Sequence, residues 1–253
     1  MKAVLLRTLA RRPLLYRGVL QLLGRGSLEK RIFLSLVREG DVVFDIGANR
    51  GHFTRLFSDL AGTGGAVHAF EPVPSTFAML SAAVTGARGH RNVTLENCAL
   101  GEAEGTFTFH LPGDDDGQAS MRRHDSDSWA GAAVTSCECR VTTMDAYARE
   151  MLRLDFVKCD VEGAELPVVK GGAGTLERLS PMVFLESNGA WTKDFGYTRE
   201  DLVSKMREVG YDAFFVADEK LTPLEDAGFS GPANLLCAKT KLHAGRLSAL
   251  DSI

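Results

Sequence analysis

The stretch Val42-Val43-Phe44-Asp45-Ile46-Gly47-Ala48-Asn49-Arg50-Gly51-His52-Phe53 decides how this chain folds. An apolar run ends in an acid, a turn follows around Gly47 and Gly51, and a helix begins. This is the layout of a nucleotide-cradling first strand–turn–helix unit. Gly47 has no Cβ, so the backbone there can turn sharply and approach a ligand closely. The first amides of the helix have no intrahelical partner and face the same crevice. Further on, Ala66-Val67-His68-Ala69-Phe70 reads as a second apolar strand and ends in Glu71. An acid at that spacing can accept both ribose hydroxyls of a nucleoside.

The turn reads D-x-G-x-N-x-G rather than the dinucleotide pattern G-x-G-x-x-G. Asn49 stands where a second glycine would open the turn to a pyrophosphate. Asp45 sets a negative charge beside the crevice, which disfavours phosphates and suits a cation. S-adenosylmethionine carries an adenosine, an ammonium and a sulfonium and no phosphate, so it fits this turn better than NAD does. The plain alternative is a tight turn with no ligand, and Glu71 at the right distance weighs against it.

At 253 residues, with 45% hydrophobic and 25% charged side chains, the chain can bury the core of one α/β domain. Its net charge of −4 gives no reason to expect a nucleic-acid partner. The charge is uneven: residues 1–31 carry +7 and the remainder −11. The basic, Leu-rich residues 1–30 form an arm that either packs on the domain as a helical cap or touches a membrane surface. The arginines that interrupt every apolar run favour the cap. No continuous apolar core follows the charges, as a secretory signal requires, and no run reaches transmembrane length. Five scattered cysteines imply free thiols in a reducing cytoplasm. Cys137 and Cys139 share a strand face but have no second pair to complete a zinc site.

Along the chain, apolar periodicity predicts strands near 41–45, 66–70, 93–97, 105–110, 134–141, 154–160, 182–186, 212–216 and 234–238. Helices fall between the early ones. The fold expected is α/β, a doubly wound and mostly parallel sheet, with an antiparallel edge suggested by the two closely spaced final strands. Residues 112–131 are the least core-like, with Gly113-Asp114-Asp115-Asp116-Gly117 breaking structure. They form either a loop over a binding site or a solvated hairpin tip.

Three stretches resemble the FkbM-type family of S-adenosylmethionine-dependent methyltransferases. They are FDIGANRGHFT from Phe44, AFEPVPSTFAML from Ala69 with NCALGEAEGT from Asn97, and VTTMDAY from Val141 with DFVKCDVEGAELPVVKGGAGTLERLSPMVFLE from Asp155. The last is the most distinctive, joining a strand lysine to D-x-E-G-x-E. The likeness covers roughly residues 36–190. It implies a seven-stranded, Rossmann-like methyltransferase sheet over residues 31–242, followed by a tail at 243–253. It implies that Asp45, Gly47, Asn49 and Gly51 surround the amino-acid end of the cofactor. Glu71, with Pro72 beside it, takes the ribose hydroxyls, and Asn97, Ala99 and Leu100 lie near the adenine. It also implies a small-molecule or glycan acceptor, a hydroxyl on a sugar, glycolipid or polyketide-like product. The acidic insertion around Asp114 to Asp127 departs from the family, so the acceptor cannot be carried over.

Strand carboxyl ends face the crevice in such a sheet, which puts Asp160, Glu162 and Glu186 near the transferred methyl. Any of them could take the acceptor's proton, or together they could bind Mg²⁺ as hard oxygen ligands. His110 and His124 are further base candidates beside the loop. Each has a structural reading too. Glu165 sits where a helix dipole favours an acid, Lys158 reads as the partner of a buried carboxylate, Glu162 as a helix cap, and His110 as a half-exposed strand residue. An NAD-linked oxidoreductase and a non-catalytic nucleoside-binding module are the competing readings of the fold.

Overall fold

The computed structural model of the chain describes residues 27–86, 90–113, 119–123, 129, 133–187, 189–228 and 233–250. The basic arm up to residue 26, His124 and most of the acidic insertion lie outside the described residues. The strands are β1 (Val42–Ile46), β2 (Ala66–Phe70), β3 (Val93–Glu96), β4 (Ala99–Leu100), β5 (Gly105–Pro112), β6 (Val134–Thr142), β7 (Phe156–Cys159), β8 (Met182–Leu185), β9 (Ala213–Ala217), β10 (Leu221–Pro223) and β11 (Asn234–Ala238). The helices that position the site are α1 (Leu28–Leu36), α2 (His52–Ala61), α3 (Pro74–Thr85), α4 (Met144–Tyr147), α5 (Glu165–Gly171), α6 (Ala173–Leu179), α7 (Gly189–Asp194), α8 (Arg199–Glu208), α9 (Leu224–Ala227) and α10 (Thr240–Leu247).

The main sheet runs β10-β9-β11-β8-β7-β1-β2-β3. Strands β3, β2, β1, β7 and β8 are parallel neighbours. β11 is antiparallel to both β8 and β9 and is inserted between them, while β10, antiparallel to β9, forms the rim, so the expected antiparallel edge is present. The short β10 adds an eighth strand beyond the seven expected.

Successive side chains on a strand point to opposite faces, and both faces here are covered. Val43, Phe156, Met182 and Phe184 pack with Ile32, Phe33 and Leu36 of α1 and with Leu56, Phe57 and Leu60 of α2. Phe44, Val157, Val183 and Leu185 pack on the other face with Met144, Val168, Leu176, Leu202 and Met206. Phe33 makes edge contacts at 4.9–5.7 Å with Phe53, Phe57, Phe156 and Phe184. Each such pair contributes ~0.5–1.5 kcal/mol beyond its burial. Ser27 caps α1 by accepting the Lys30 amide.

β5 and β6 do not join the main sheet. With β4 they form a separate three-stranded sheet, β4-β6-β5. β5 and β6 pair from Gly105–Val141 to Pro112–Val134 as a long hairpin. Within it, Ser120 exchanges backbone hydrogen bonds with His110, which folds residues 119–121 back along β5. The expected boundary at 243 falls inside α10. Arg246 on that helix binds the buried Asp41 through both guanidinium nitrogens, and Arg38 reaches the Gly245 carbonyl. The segment to Leu250 is therefore part of the body rather than a tail.

Candidate active site

The first βα turn lies at the carboxyl edge of the sheet. Gly47, Asn49 and Gly51 all have positive φ, at 75°, 48° and 78°. Asparagine tolerates that region better than most side chains. The Asn49 amide donates to Glu71 Oε2 at 2.9 Å, and the Asn49 side chain accepts the Arg50 amide. A Cβ on Gly47 would stand 1.8 Å from the Asp160 carbonyl oxygen. The glycine is thus required by the end of the neighbouring strand β7, a closer constraint than the ligand approach expected from sequence.

Glu71 is buried and its two oxygens accept the Asn49 and Val73 amides. An ionised carboxylate offers about four lone-pair sites, more than these two amides use. Asn97 does not face the cavity. Its side-chain amide donates to the Glu71 and Pro72 carbonyls at 2.9 and 3.0 Å, holding the strap that carries Glu71.

Asp45 is fully buried behind the turn, not beside the crevice as its sequence position suggests. It accepts a 2.6 Å bond from Thr54 and lies 3.4 Å from Lys158 Nζ. Lys158 also donates to the Gly47 carbonyl at 2.9 Å and meets Asp160 Oδ2 at 3.2 Å. Burial alone would pull the Lys158 ammonium down. The charges of Asp160 and Asp45 outweigh it and hold the lysine protonated, above its ordinary range. Burial pushes Asp45 up while Lys158 opposes it; with the lysine held charged, the ion pair is the state that survives.

A cavity of about 370 Å³ opens over these groups. Gly47, Ala48, Asn49, Glu71 and Pro72 line one side, Ala99, Leu100 and Phe109 a second, and Asp160, Val161 and Glu162 a third. The sequence singles out Gly47, Asn49, Glu71, Pro72, Ala99, Leu100, Asp160 and Glu162. It does not place Arg50, His52, Phe53, Phe109, Ala119 or Met121 there. Phe109 alternates inward on β5, a signal that is legible. Ala119 and Met121 are brought in by the hairpin fold-back, which has no local signature. Asp45, Gly51, Asn97 and His110 do not line the cavity.

Asp160, Glu162 and Glu186 offer carboxylate oxygens within 4.8 Å of one another. Burial first, then the charges of Asp160 and Glu162, push the Glu186 carboxyl up to about 11. Its Oε2 is buried with no hydrogen-bond partner. The turn that carries Asp160 and Glu162 is strained: Glu162 has φ 55° and Gly163 φ 98°. Glu165, expected to answer only the helix dipole, clamps it. Glu165 Oε1 accepts the Val161 and Gly163 amides at 3.1 and 3.3 Å, and Tyr197 OH lies 3.1 Å from its other oxygen. Burial pushes Glu165 up to about 7. From the hairpin, Ser120 donates to the Glu162 carbonyl at 3.0 Å.

The family description "Methyltransferase FkbM domain" matches residues 45–213, more than half of the chain. The chain belongs to the FkbM methyltransferase family. The matched span contains the Asp45–Gly51 turn, Glu71, the small sheet and all three clustered acids. The curated "31-O-demethyl-FK506 methyltransferase FkbM" of Streptomyces tacrolimicus is 46% identical over 77 residues, which is 29% of this FkbM-family chain and 28% of that relative. The match therefore spans under a third of the relative's length. The crystal structure of a methyltransferase FkbM from Methylobacillus flagellatus superposes with a TM-score of 0.50 at 16% identity, over 78% of this chain and 43% of that one. A putative rRNA methylase from Clostridium thermocellum gives 0.50 at 14% identity, over 84% and 94%. Both likenesses speak to the fold. Among the described residues, no helix of this FkbM-family chain is long and apolar enough to cross a membrane.

Proposed function

We propose that this chain transfers the methyl group of S-adenosylmethionine to a hydroxyl on a sugar, glycolipid or polyketide-like acceptor. The observation that carries the reading is one cavity with Glu71 and Asn49 on one side and Asp160 and Glu162 on the other. The first pair suits a ribose and an amino-acid moiety. The second suits an acceptor that must lose a proton. The relative from Streptomyces tacrolimicus, a 31-O-demethyl-FK506 methyltransferase, supports oxygen as the methylated atom.

The reaction is an in-line displacement. An acceptor oxygen lone pair forms the new C–O bond as the C–S bond breaks, leaving a methyl ether and S-adenosylhomocysteine. Asp160, ion-paired to Lys158 and partly exposed to the cavity, takes the hydroxyl proton. Holding the oxygen behind the methyl supplies most of the acceleration. Glu186 is the weaker base candidate, because a carboxyl pushed up to about 11 already holds its proton at neutral pH. Asp160, Glu162 and Glu186 also fit a divalent cation, since the buried Glu186 Oε2 lacks a partner and all three offer hard oxygens. When bound, such an ion would polarise the acceptor hydroxyl. The described cysteines are all free thiols, in keeping with a reducing, cytoplasmic setting.

Methyl-labelled S-adenosylmethionine offered with an acceptor panel, with and without chelator, tests this. Label is expected in a methyl ether, with loss on chelation marking a metal-assisted route. Failure of S-adenosylmethionine to bind by calorimetry would sink it.

A further inference from the structure

A second cavity, of about 340 Å³, opens on the same edge of the sheet. Ser27, Glu29, Glu186, Ser187, Asp218 and Asn234 supply its polar walls. These residues come from the start of α1, the ends of β8 and β9, and the start of the reversed strand β11. Glu186 joins it to the first cavity, because its carboxylate lies within 4.8 Å of those of Asp160 and Glu162, which line the first. The two cavities therefore meet across the three clustered acids.

The donor's nucleoside end belongs over β1 and β2, where Glu71 sits. An acceptor in line with the departing sulfur must approach the methyl from the opposite side. That side is the β8–β11–β9 flank, where the second cavity lies. Among the described residues its lining chemistry is one-sided: three carboxyl groups, two hydroxyls, one amide and no Lys, Arg or His. The Glu186 carboxyl, holding its proton, adds an O–H donor to this wall, and carboxylates that are ionised only accept hydrogen bonds. They suit a ligand rich in O–H donors and repel one carrying a carboxylate or phosphate. Asn234 donates to Glu29 at 2.7 Å, and Arg199 donates to Ser187 Oγ at 2.9 Å, so the walls are braced from behind.

We propose that this second cavity is the acceptor subsite and that it takes a neutral, hydroxyl-rich head group in preference to an anionic one. The proposal rests on the methyltransferase reading above and narrows its acceptor class.

The test uses the full chain with S-adenosylhomocysteine bound, and ligand-observed saturation-transfer NMR with two probes, methyl glucoside and methyl glucuronide. The glucoside is expected to show transfer and the glucuronide little or none. The exposed Asp218→Lys is expected to move the affinity ratio toward the glucuronide by at least about tenfold, a change of roughly 1.4 kcal/mol. Glu29→Gln, which keeps its shape, is expected to weaken the glucoside. Equal or better binding of the glucuronide to the unaltered chain, no transfer from either probe, or an unchanged ratio in both variants would each overturn the proposal. Calorimetry with S-adenosylhomocysteine separates the two levels. Donor product that binds while the glycosides fail overturns the subsite alone, and its failure to bind overturns the methyltransferase reading and the subsite with it.

Discussion

Asp45 and Lys158 are register partners on the adjacent parallel strands β1 and β7, and their side chains meet at 3.4 Å in the interior. Both are almost wholly shielded from solvent, at 0% and 5% of side-chain exposure. The lysine then reaches forward to the Gly47 carbonyl and to Asp160. One buried cation thus ties the first turn to the proposed catalytic carboxylate.

Lys158→Met removes that tie and leaves Asp45 charged and buried without its partner. Breaking a buried pair from one side costs ~3–5 kcal/mol. Urea unfolding is expected to show a loss of this size, partly restored in the Asp45→Asn, Lys158→Met double variant. A loss under about 1 kcal/mol would show that the pair is not a supporting element.

Gly47→Ala places a Cβ 1.8 Å from the Asp160 carbonyl at a φ of 75°. Overpacking and left-handed strain together cost about 3 kcal/mol or more. Gly196 has a similar φ of 76°, and a Cβ added there would meet nothing within 4 Å. Gly196→Ala should therefore cost only the backbone part, about 1 kcal/mol. Thermal melting of the two variants side by side separates the steric from the conformational contribution, and equal losses would remove the steric claim.

Glu71→Ala is expected to weaken S-adenosylmethionine binding by roughly 100-fold, the loss of two charge-assisted hydrogen bonds of ~1.5–3 kcal/mol each offset by partial rehydration. Calorimetry reads it directly. Unchanged affinity would remove the ribose assignment.

Asp160→Asn is expected to abolish turnover while donor binding persists within about threefold, since the amide keeps the shape but cannot take a proton. Single-turnover label transfer measures the first and calorimetry the second. Near-normal turnover would move the proton acceptor to Glu162.

Glu165 supplies a pH signature. Its folded value is raised by burial from 4.5 to about 7, so the native state holds a proton that the unfolded chain releases. The contribution to stability is full below about 4.5 and falls as pH rises through about 7. Glu165→Gln should flatten this part of the melting-temperature profile between those limits. Parallel profiles for the variant and the unaltered chain would contradict it. Because Glu165 holds the turn carrying Asp160 and Glu162, the variant should also lower kcat more than it changes donor affinity.

Much of this is legible in the chain. Strands β2 and β11 read correctly to the residue, and β1 and β8 to within one residue at either end, because buried strands leave dense apolar runs bounded by acids and glycines. Glu71 is legible because its role depends on spacing within one βα unit. The separate sheet of β4, β5 and β6 is not legible, since alternation marks a strand without saying which sheet it joins. Nor is the insertion of β11 between β8 and β9, which depends on connections that no local window contains.

The sequence by itself determined the class of fold, the first turn and the acids that follow each strand, because strand periodicity, glycine placement and motif spacing are local properties. Only the tertiary structure decided what Asp45, Gly47 and Lys158 do. The Asp45–Lys158 pair spans over a hundred residues of chain and exists because β1 and β7 are hydrogen-bonded in register. The missing Cβ of Gly47 makes room for a carbonyl at the end of that same neighbouring strand. Burial then raises Glu186 and Glu165 far from their ordinary values. Desolvation is a property of the packed neighbourhood, and a linear chain does not carry it.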